Sequence, residues 1–115
     1  MTDFRALRLH QTDTASPDVK IERLTADDLS TGNVLIANEF SSLNYKDALA
    51  VTGKGKIIRH FPMIPGIDSA GVVLESDDPQ FHHGEHVILT GHGVGETHTG
   101  GMSEQVRVPG SYLVK

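Results

Sequence analysis

The sequence predicts a mainly β fold, a barrel or sandwich with one or two short helices, on three observations. About seven short segments carry apolar side chains near period two and are separated by glycine and proline turns. The 12 glycines and only 5% aromatic residues suit tight bends between such strands. No βαβ unit with a Gly-x-Gly-x-x-Gly turn occurs, so the 115 residues hold no dinucleotide-binding domain of their own and have room for one domain with a modest core.

Phe4 to Leu9 (FRALRL) reads as a first strand, with Phe4, Ala6 and Arg8 on one side, while Leu7 and Leu9 blur the alternation. Thr12 to Asp18, with Pro17, is polar and turn-like. Val19 to Leu24 (VKIERL) alternates apolar with polar residues and predicts a half-buried strand. A capping-type Thr25 precedes Asp27 and Asp28, placed where a helix dipole favours negative charge, and predicts one helical turn ending at Leu29. Asn33 to Ser42 (NVLIANEFSS) sets Val34, Ile36, Asn38 and Phe40 on one side and Leu35 and Ala37 on the other, a strand buried in part on both faces.

Tyr45 to Val51 is built of good helix formers and meets Gly53, a residue able to take the left-handed conformation that stops a helix. Lys54 to Arg59 is a basic loop, and Pro62, Pro65 and Gly66 punctuate the approach to a strand from Ile67 to Leu74. The small residues Ser69, Ala70 and Gly71 inside that strand predict a bend or a close backbone crossing. Ser76 to Pro79 is a turn, Gly84-Glu85 opens a strand from His86 to Leu89, and Met102 to Val108 is a further strand before Pro109-Gly110.

Composition narrows the function. Ten Lys and Arg against 15 Asp and Glu give a net charge of -5, which argues against a nucleic-acid partner, since that needs a basic face. The absence of cysteine excludes disulfides, thiolate metal sites and a cysteine nucleophile within these residues. MTDFRALRLH has no apolar signal core, and no apolar run approaches the ~18 residues of a membrane span, so a cytoplasmic protein without a membrane partner is expected.

Four groups of residues are candidates for chemistry. Asn44, Tyr45 and Asp47 bring an amide, a phenol and a carboxylate within four positions, a set able to orient a carbonyl and move a proton; the competing reading is a helix start, with Asn44 as cap and Asp47 answering the dipole. Gly91 to Gly101 (GHGVGETHTGG) is glycine-rich enough to let amides approach a phosphate, but it joins strand to strand, which favours a wide turn at a cleft edge. His82, His83, His86, His92 and His98 lack the spacing of a metal site, and His82 and His83, beside Gly84 at a turn, read as surface imidazoles. Lys54, Lys56 and Arg59 form a basic patch suited to an anionic substrate or a solvated loop.

Ser42 to Leu49 (SLNYKDAL), Pro65-Gly66-Ile67-Asp68, Ala70-Gly71-Val72-Val73, Gly84-Glu85-x-Val87 and Gly100 to Glu104 together resemble the N-terminal catalytic domain of medium-chain dehydrogenase/reductases, and Asn44 to Asp47 followed by Gly53 to Arg59 resembles the quinone-oxidoreductase-like branch that includes acryloyl-CoA reductases. The resemblance implies a GroES-like, partly open β-barrel over residues 1–115, forming one wall of a cleft whose other wall, a Rossmann domain carrying NADPH, lies outside this chain. It implies a fragment of a longer, homodimeric enzyme, inactive alone. Zinc-dependent members place a cysteine where Asn44 stands and a His-Glu pair near Ile67-Asp68, so a zinc-free member is implied. Its chemistry would be hydride transfer to an α,β-unsaturated thioester or a quinone. In that picture Asn44 orients the acceptor carbonyl and Tyr45 packs beside the nicotinamide, while Asp47 positions both or relays a proton. Lys54, Lys56 and Arg59 would meet substrate phosphates. The rival expectation is a non-enzymatic GroES-like binding or oligomerisation module.

Overall fold

The computed structural model describes residues 3–14, 16–55, 57, 58 and 60–115. Its strands are β1 (Phe4–His10), β2 (Asp18–Leu24), β3 (Val34–Phe40), β4 (Asp68–Ser76), β5 (His86–Thr90), β6 (Gln105–Val108) and β7 (Leu113–Val114), with one α-helix, α1 (Tyr45–Thr52), and 3-10 turns at Ala26–Asp28 and Gly110–Tyr112. β1 and β2 form a two-stranded antiparallel sheet, and the other strands a five-stranded antiparallel sheet in the order β6-β3-β4-β5-β7. Bridges from Ala6 to Ser103 and from Leu9 to Met63 join the hairpin to the larger sheet's connections. The two sheets wrap without closing into a barrel, as a partly open GroES-like fold requires.

Two apolar clusters hold this arrangement. Val34, Ile36, Val73, Val87, Leu89, Val106 and Val108 from the large sheet close over Phe81 and Val94. On the sheet's other side Leu35 and Leu74 pack with Phe4, Ala6, Leu24, Leu29 and Ile64. The double burial expected of β3 therefore holds for Val34, Leu35 and Ile36 in succession. The close crossing expected at Gly71 is also present: a Cβ there would lie 2.1 Å from the Ala37 carbonyl oxygen, next to a register shift between Asn38 and Phe40.

Two expectations need correction, and one element is new. β2 is not half-buried along its length, because Ile21 is 68% exposed and only Leu24 enters the core. β2 is an edge strand whose outer apolar side chains meet no second layer. The last long strand starts at Gln105, because residues 102–104 bend to bridge β1. β7 was not foreseen, two residues being too short for period two to register.

Candidate active site

One end of the large sheet gathers the C-terminal ends of β3 and β5 around the N-terminal end of β4, with Phe40 opposite Ala70 and Asp68 opposite Thr90. The chain leaves β3 at Phe40 and enters α1 at Tyr45, which sets the start of the helix at this end. Asn44 is its extended N-cap residue, and Gly53, at φ 76°, ends it in the left-handed conformation, as the sequence predicts. The Asp47 carboxylate, at the third helical position, accepts the main-chain N–H of Asn44 at 2.9 Å. Asp47 is 2% exposed. Two positions along a helix are about 200° of rotation, so burying Asp47 turns Tyr45 outward, and Tyr45 is 80% exposed.

Beneath the cap stands Asp68, a residue that sequence reasoning passed over. Its carboxylate accepts the Ser42 N–H at 2.9 Å and the Ser42 hydroxyl, and the Asn44 side-chain amide lies 3.4 Å away. Burial raises its carboxyl, but the hydrogen bonds from the Ser42 hydroxyl, the Ser42 N–H and the Asn44 amide together outweigh burial and hold it below the ordinary carboxylate value. Asn44 Nδ2 also donates to the Ser42 hydroxyl oxygen at 3.0 Å and stands 3.4 Å from Asp47. One amide thus bridges the carboxylate three positions ahead of it, on its own helix, and the Asp68 carboxylate 24 positions ahead, on β4. In the sequence Asp68 showed as an acid opening a strand after Pro65-Gly66, inside a motif of the family resemblance, with nothing to tie it to Ser42 or Asn44.

The glycine-rich loop braces the site and offers no phosphate cradle. Gly100 N–H donates to the Ile64 carbonyl at 2.8 Å, Gly101 to Gly66 at 3.0 Å and Met102 to Pro65 at 3.0 Å, while the amides of residues 94–98 bond within the loop. With those donors committed, little N–H remains to face an anion. The loop packs backbone to backbone instead: a Cβ on Gly101 would lie 2.0 Å from the Asp68 carbonyl oxygen. The buried Ser69 hydroxyl bonds Asn38 Oδ1, and the Asn38 amide donates to the carbonyls of Gly101 and Ser103 at 2.7 and 3.1 Å. Lys46 on α1 meets Glu96 of the loop at 3.2 Å.

The other sequence candidates are less tightly placed. Lys54 is exposed in the turn after α1, whereas Lys56 and Arg59 lie outside the described residues. His82 and His83 are exposed, His86 is 4.0 Å from Glu39, His92 stacks on Tyr112 at 4.3 Å between ring centroids, and His98 Nε2 bonds the Arg107 carbonyl at 2.7 Å. Among the described residues no three His, Cys, Asp or Glu groups stand together as a metal site would need. A shallow groove of about 280 Å³, lined by Phe40, Ser42, Asp68, Ala70, Ile88 and Thr90, opens beside the Asp68 carboxylate. The site so built has an outward phenol, a carboxylate held ionised, a bridging amide and an apolar groove.

Comparison with known proteins bears on this arrangement. The family of the alcohol dehydrogenase GroES-like domain matches residues 30–115. The probable acrylyl-CoA reductase AcuI of Escherichia coli is 56% identical over 111 residues, which are 96% of this chain and 34% of that protein. The putative quinone oxidoreductase YhfP of Bacillus subtilis is 41% identical over 113 residues, 98% of this chain and 34% of that protein. Its crystal structure with NAD bound matches 99% of this chain and 34% of its own at a TM-score of 0.93 and 40% identity. The yhdH oxidoreductase of Salmonella enterica, solved in complex with NADP, matches 96% of this chain and 34% of its own at a TM-score of 0.92 and 56% identity. The chain thus spans about a third of the length of the curated relatives it matches.

Proposed function

Because the chain belongs to the alcohol dehydrogenase GroES-like domain family of the medium-chain dehydrogenase/reductases, we propose that it forms the substrate-facing wall of a zinc-independent, NADPH-dependent oxidoreductase that reduces an α,β-unsaturated thioester of the acryloyl-CoA kind, or a quinone. The observation that carries this reading is Tyr45, turned out by the cap at the groove end of the sheet, in a chain 56% identical to a probable acrylyl-CoA reductase. NADPH supplies the hydride. Tyr45 offers a ring face to the nicotinamide and a phenol O–H to an acceptor oxygen that gains negative charge as the hydride reaches the β-carbon.

Asn44 and Asp47 complete the set. Both Asn44 N–H bonds point at oxygens of the chain, so this amide orients an acceptor carbonyl only by exchanging one of its long 3.4 Å contacts. Asp47 is almost wholly enclosed and bonded to the main chain, which makes it a positioning residue that fixes where Tyr45 stands. Lys54, with Lys56 and Arg59, is assigned to the phosphates of a CoA substrate. Since the glycine loop leaves few donors for a pyrophosphate, the rest of the dinucleotide is held by the remainder of a longer polypeptide, and the 115-residue chain alone is inactive.

The test is NADPH oxidation by the longer protein with acryloyl-CoA, crotonyl-CoA and a simple quinone. Exchanging Lys54, Lys56 and Arg59 together for Gln is expected to raise KM for the CoA substrates far more than for the quinone. Equal effects on both would remove the CoA assignment, and no turnover of any acceptor would remove the reductase.

A further inference from the structure

Among the described residues no strand lies beside the outer edge of β2. Which of its backbone groups face outward follows from β1. Leu7 N–H donates to the Met102 carbonyl at 2.9 Å and Leu9 N–H to the Met63 carbonyl at 2.7 Å, while the Arg5 carbonyl accepts the Glu104 N–H at 2.9 Å. Arg5, Leu7 and Leu9 thus turn their backbone groups away from β2. In an antiparallel pair the residues opposite them, Arg23, Ile21 and Val19, turn theirs outward on the other side. Val19 is also 44% exposed and Ile21 68%, and an apolar edge of this kind is a template for another strand. Charged side chains ordinarily keep such an edge from pairing, and Asp18, Lys20, Glu22 and Arg23 all stand on it. Their order decides the matter.

We infer that β2 pairs with β2 of a second copy of this chain, antiparallel about a two-fold axis through Ile21, to give a four-stranded sheet β1-β2-β2-β1. In that register Val19 is opposite Arg23, Lys20 opposite Glu22 and Ile21 opposite Ile21. The three outward residues meet in hydrogen-bonded positions, and Lys20 and Glu22 fall in the non-hydrogen-bonded positions, where side chains come closest. Two cross-strand ion pairs result. Moving the axis by one residue sets Lys20 on Lys20 or Glu22 on Glu22, and a parallel pairing in register does both, so charge selects a single arrangement. The groups needed are at hand. Glu22 bonds His10 through Oε1, which leaves Oε2 for Lys20 of the second copy, and Lys20 gives up only an exposed contact with Asp18 at 3.5 Å. Asp3 holds the Arg23 guanidinium at 3.1 Å, so the Arg23 stem is left to cover Val19 of the second copy. One pair of seven-residue strands buries less than the ~800 Å² per partner of a stable interface, so the association expected is weak, with Kd of about 0.1 mM. None of these residues belongs to the candidate site, and this contact stands or falls apart from the reaction.

The 115 residues contain no cysteine, so one introduced thiol reports the register. In Ile21→Cys the two thiols face each other across the axis, with Cα atoms about 5.5 Å apart, inside the span of a disulfide. In Val19→Cys they stand four residues apart along the strands, about 13 Å and out of reach. Under a glutathione redox buffer at about 0.1 mM protein, Ile21→Cys is expected to form a linked dimer at least about 10-fold faster than Val19→Cys. Equal rates at the two positions would overturn the inference. Sedimentation equilibrium of the cysteine-free chain tests the charges. Lys20→Glu is expected to raise Kd by about 10-fold, and Lys20→Glu with Glu22→Lys to restore it, thermal melts showing that each variant folds. A chain that stays monomeric at about 1 mM would overturn the inference. So would a dimer that Lys20→Glu leaves as tight as before, since that places the contact elsewhere, and so would a double exchange that restores nothing, since that denies the register.

Discussion

The main-chain N–H of Ser42 donates to the carboxylate of Asp68 at 2.9 Å, so the segment that leaves β3 is fastened to the first residue of β4, 26 positions on. Together with the Ser42 hydroxyl and the Asn44 amide, this bond sets where α1 begins relative to the sheet. Asp68, rather than the helix, anchors the candidate site.

Asp68 gives the stability of the chain a pH dependence of known sign. Its folded pKa is depressed, so the stabilisation it contributes is fully present above the unfolded value of about 3.9 and is lost as pH falls through the lower folded value. Thermal melts of the 115-residue chain and of Asp68→Asn are expected to show a constant gap in Tm above about pH 5. The gap should close below about pH 4. A gap that widens on acidification would show that the carboxyl is raised in the fold.

Asp47 tests a structural role. Removing its carboxylate leaves the Asn44 N–H without its partner in an enclosed place, and the cost of losing such a cap is about 1–2 kcal/mol. Urea denaturation of Asp47→Ala should show that loss, with Asp47→Asn keeping part of the stability through its amide oxygen. No change in either variant would free Asp47 for a direct chemical role.

Much of the fold was legible because alternation and turn residues are local signals. β3, α1 with its Gly53 stop, and the crossing at Gly71 all follow from neighbours a few positions apart. Exposure of Ile21 was not, since VKIERL is the same string whether or not a second layer covers it. Asp68 was hidden for a related reason. Its partners Ser42 and Asn44 lie 26 and 24 residues away, and only the β3–β4 register brings them together. The glycine loop showed its glycines in the sequence, but that its amides bond Ile64, Pro65 and Gly66 depends on tertiary packing.

Tyr45 should divide stability from function. With 80% of its surface exposed and few neighbours to lose, Tyr45→Ala is expected to change the unfolding free energy of the chain by no more than about 0.5 kcal/mol. In the longer protein Tyr45→Phe should lower kcat/KM by about 100-fold if the phenol O–H stabilises charge on the acceptor oxygen. If Tyr45→Phe keeps full activity while Tyr45→Ala does not, the ring face is what the reaction uses and the hydroxyl is idle.

Gly101 tests whether the loop sets the position of Asp68. Nothing about its backbone demands glycine; the demand is for space, since a Cβ would fall 2.0 Å from the Asp68 carbonyl oxygen and 3.5 Å from the Ser69 Cβ. Neither the β4 backbone nor the loop can yield without breaking the bonds that Gly101 N–H makes to Gly66 and that its carbonyl accepts from Asn38. Gly101→Ala is therefore expected to cost about 3 kcal/mol or more in urea denaturation. At Gly84 a Cβ would meet nothing within 4 Å but φ is +90°, so Gly84→Ala should cost only the backbone strain of about 1–2 kcal/mol. If Gly101→Ala shifts β4 rather than the loop, the Ser42–Asp68 bonds lengthen with it and the acid-side closing of the Asp68→Asn gap disappears. An intact pH dependence in a destabilised Gly101→Ala chain would instead place the displacement in the loop and leave Asp68 anchored by Ser42 alone.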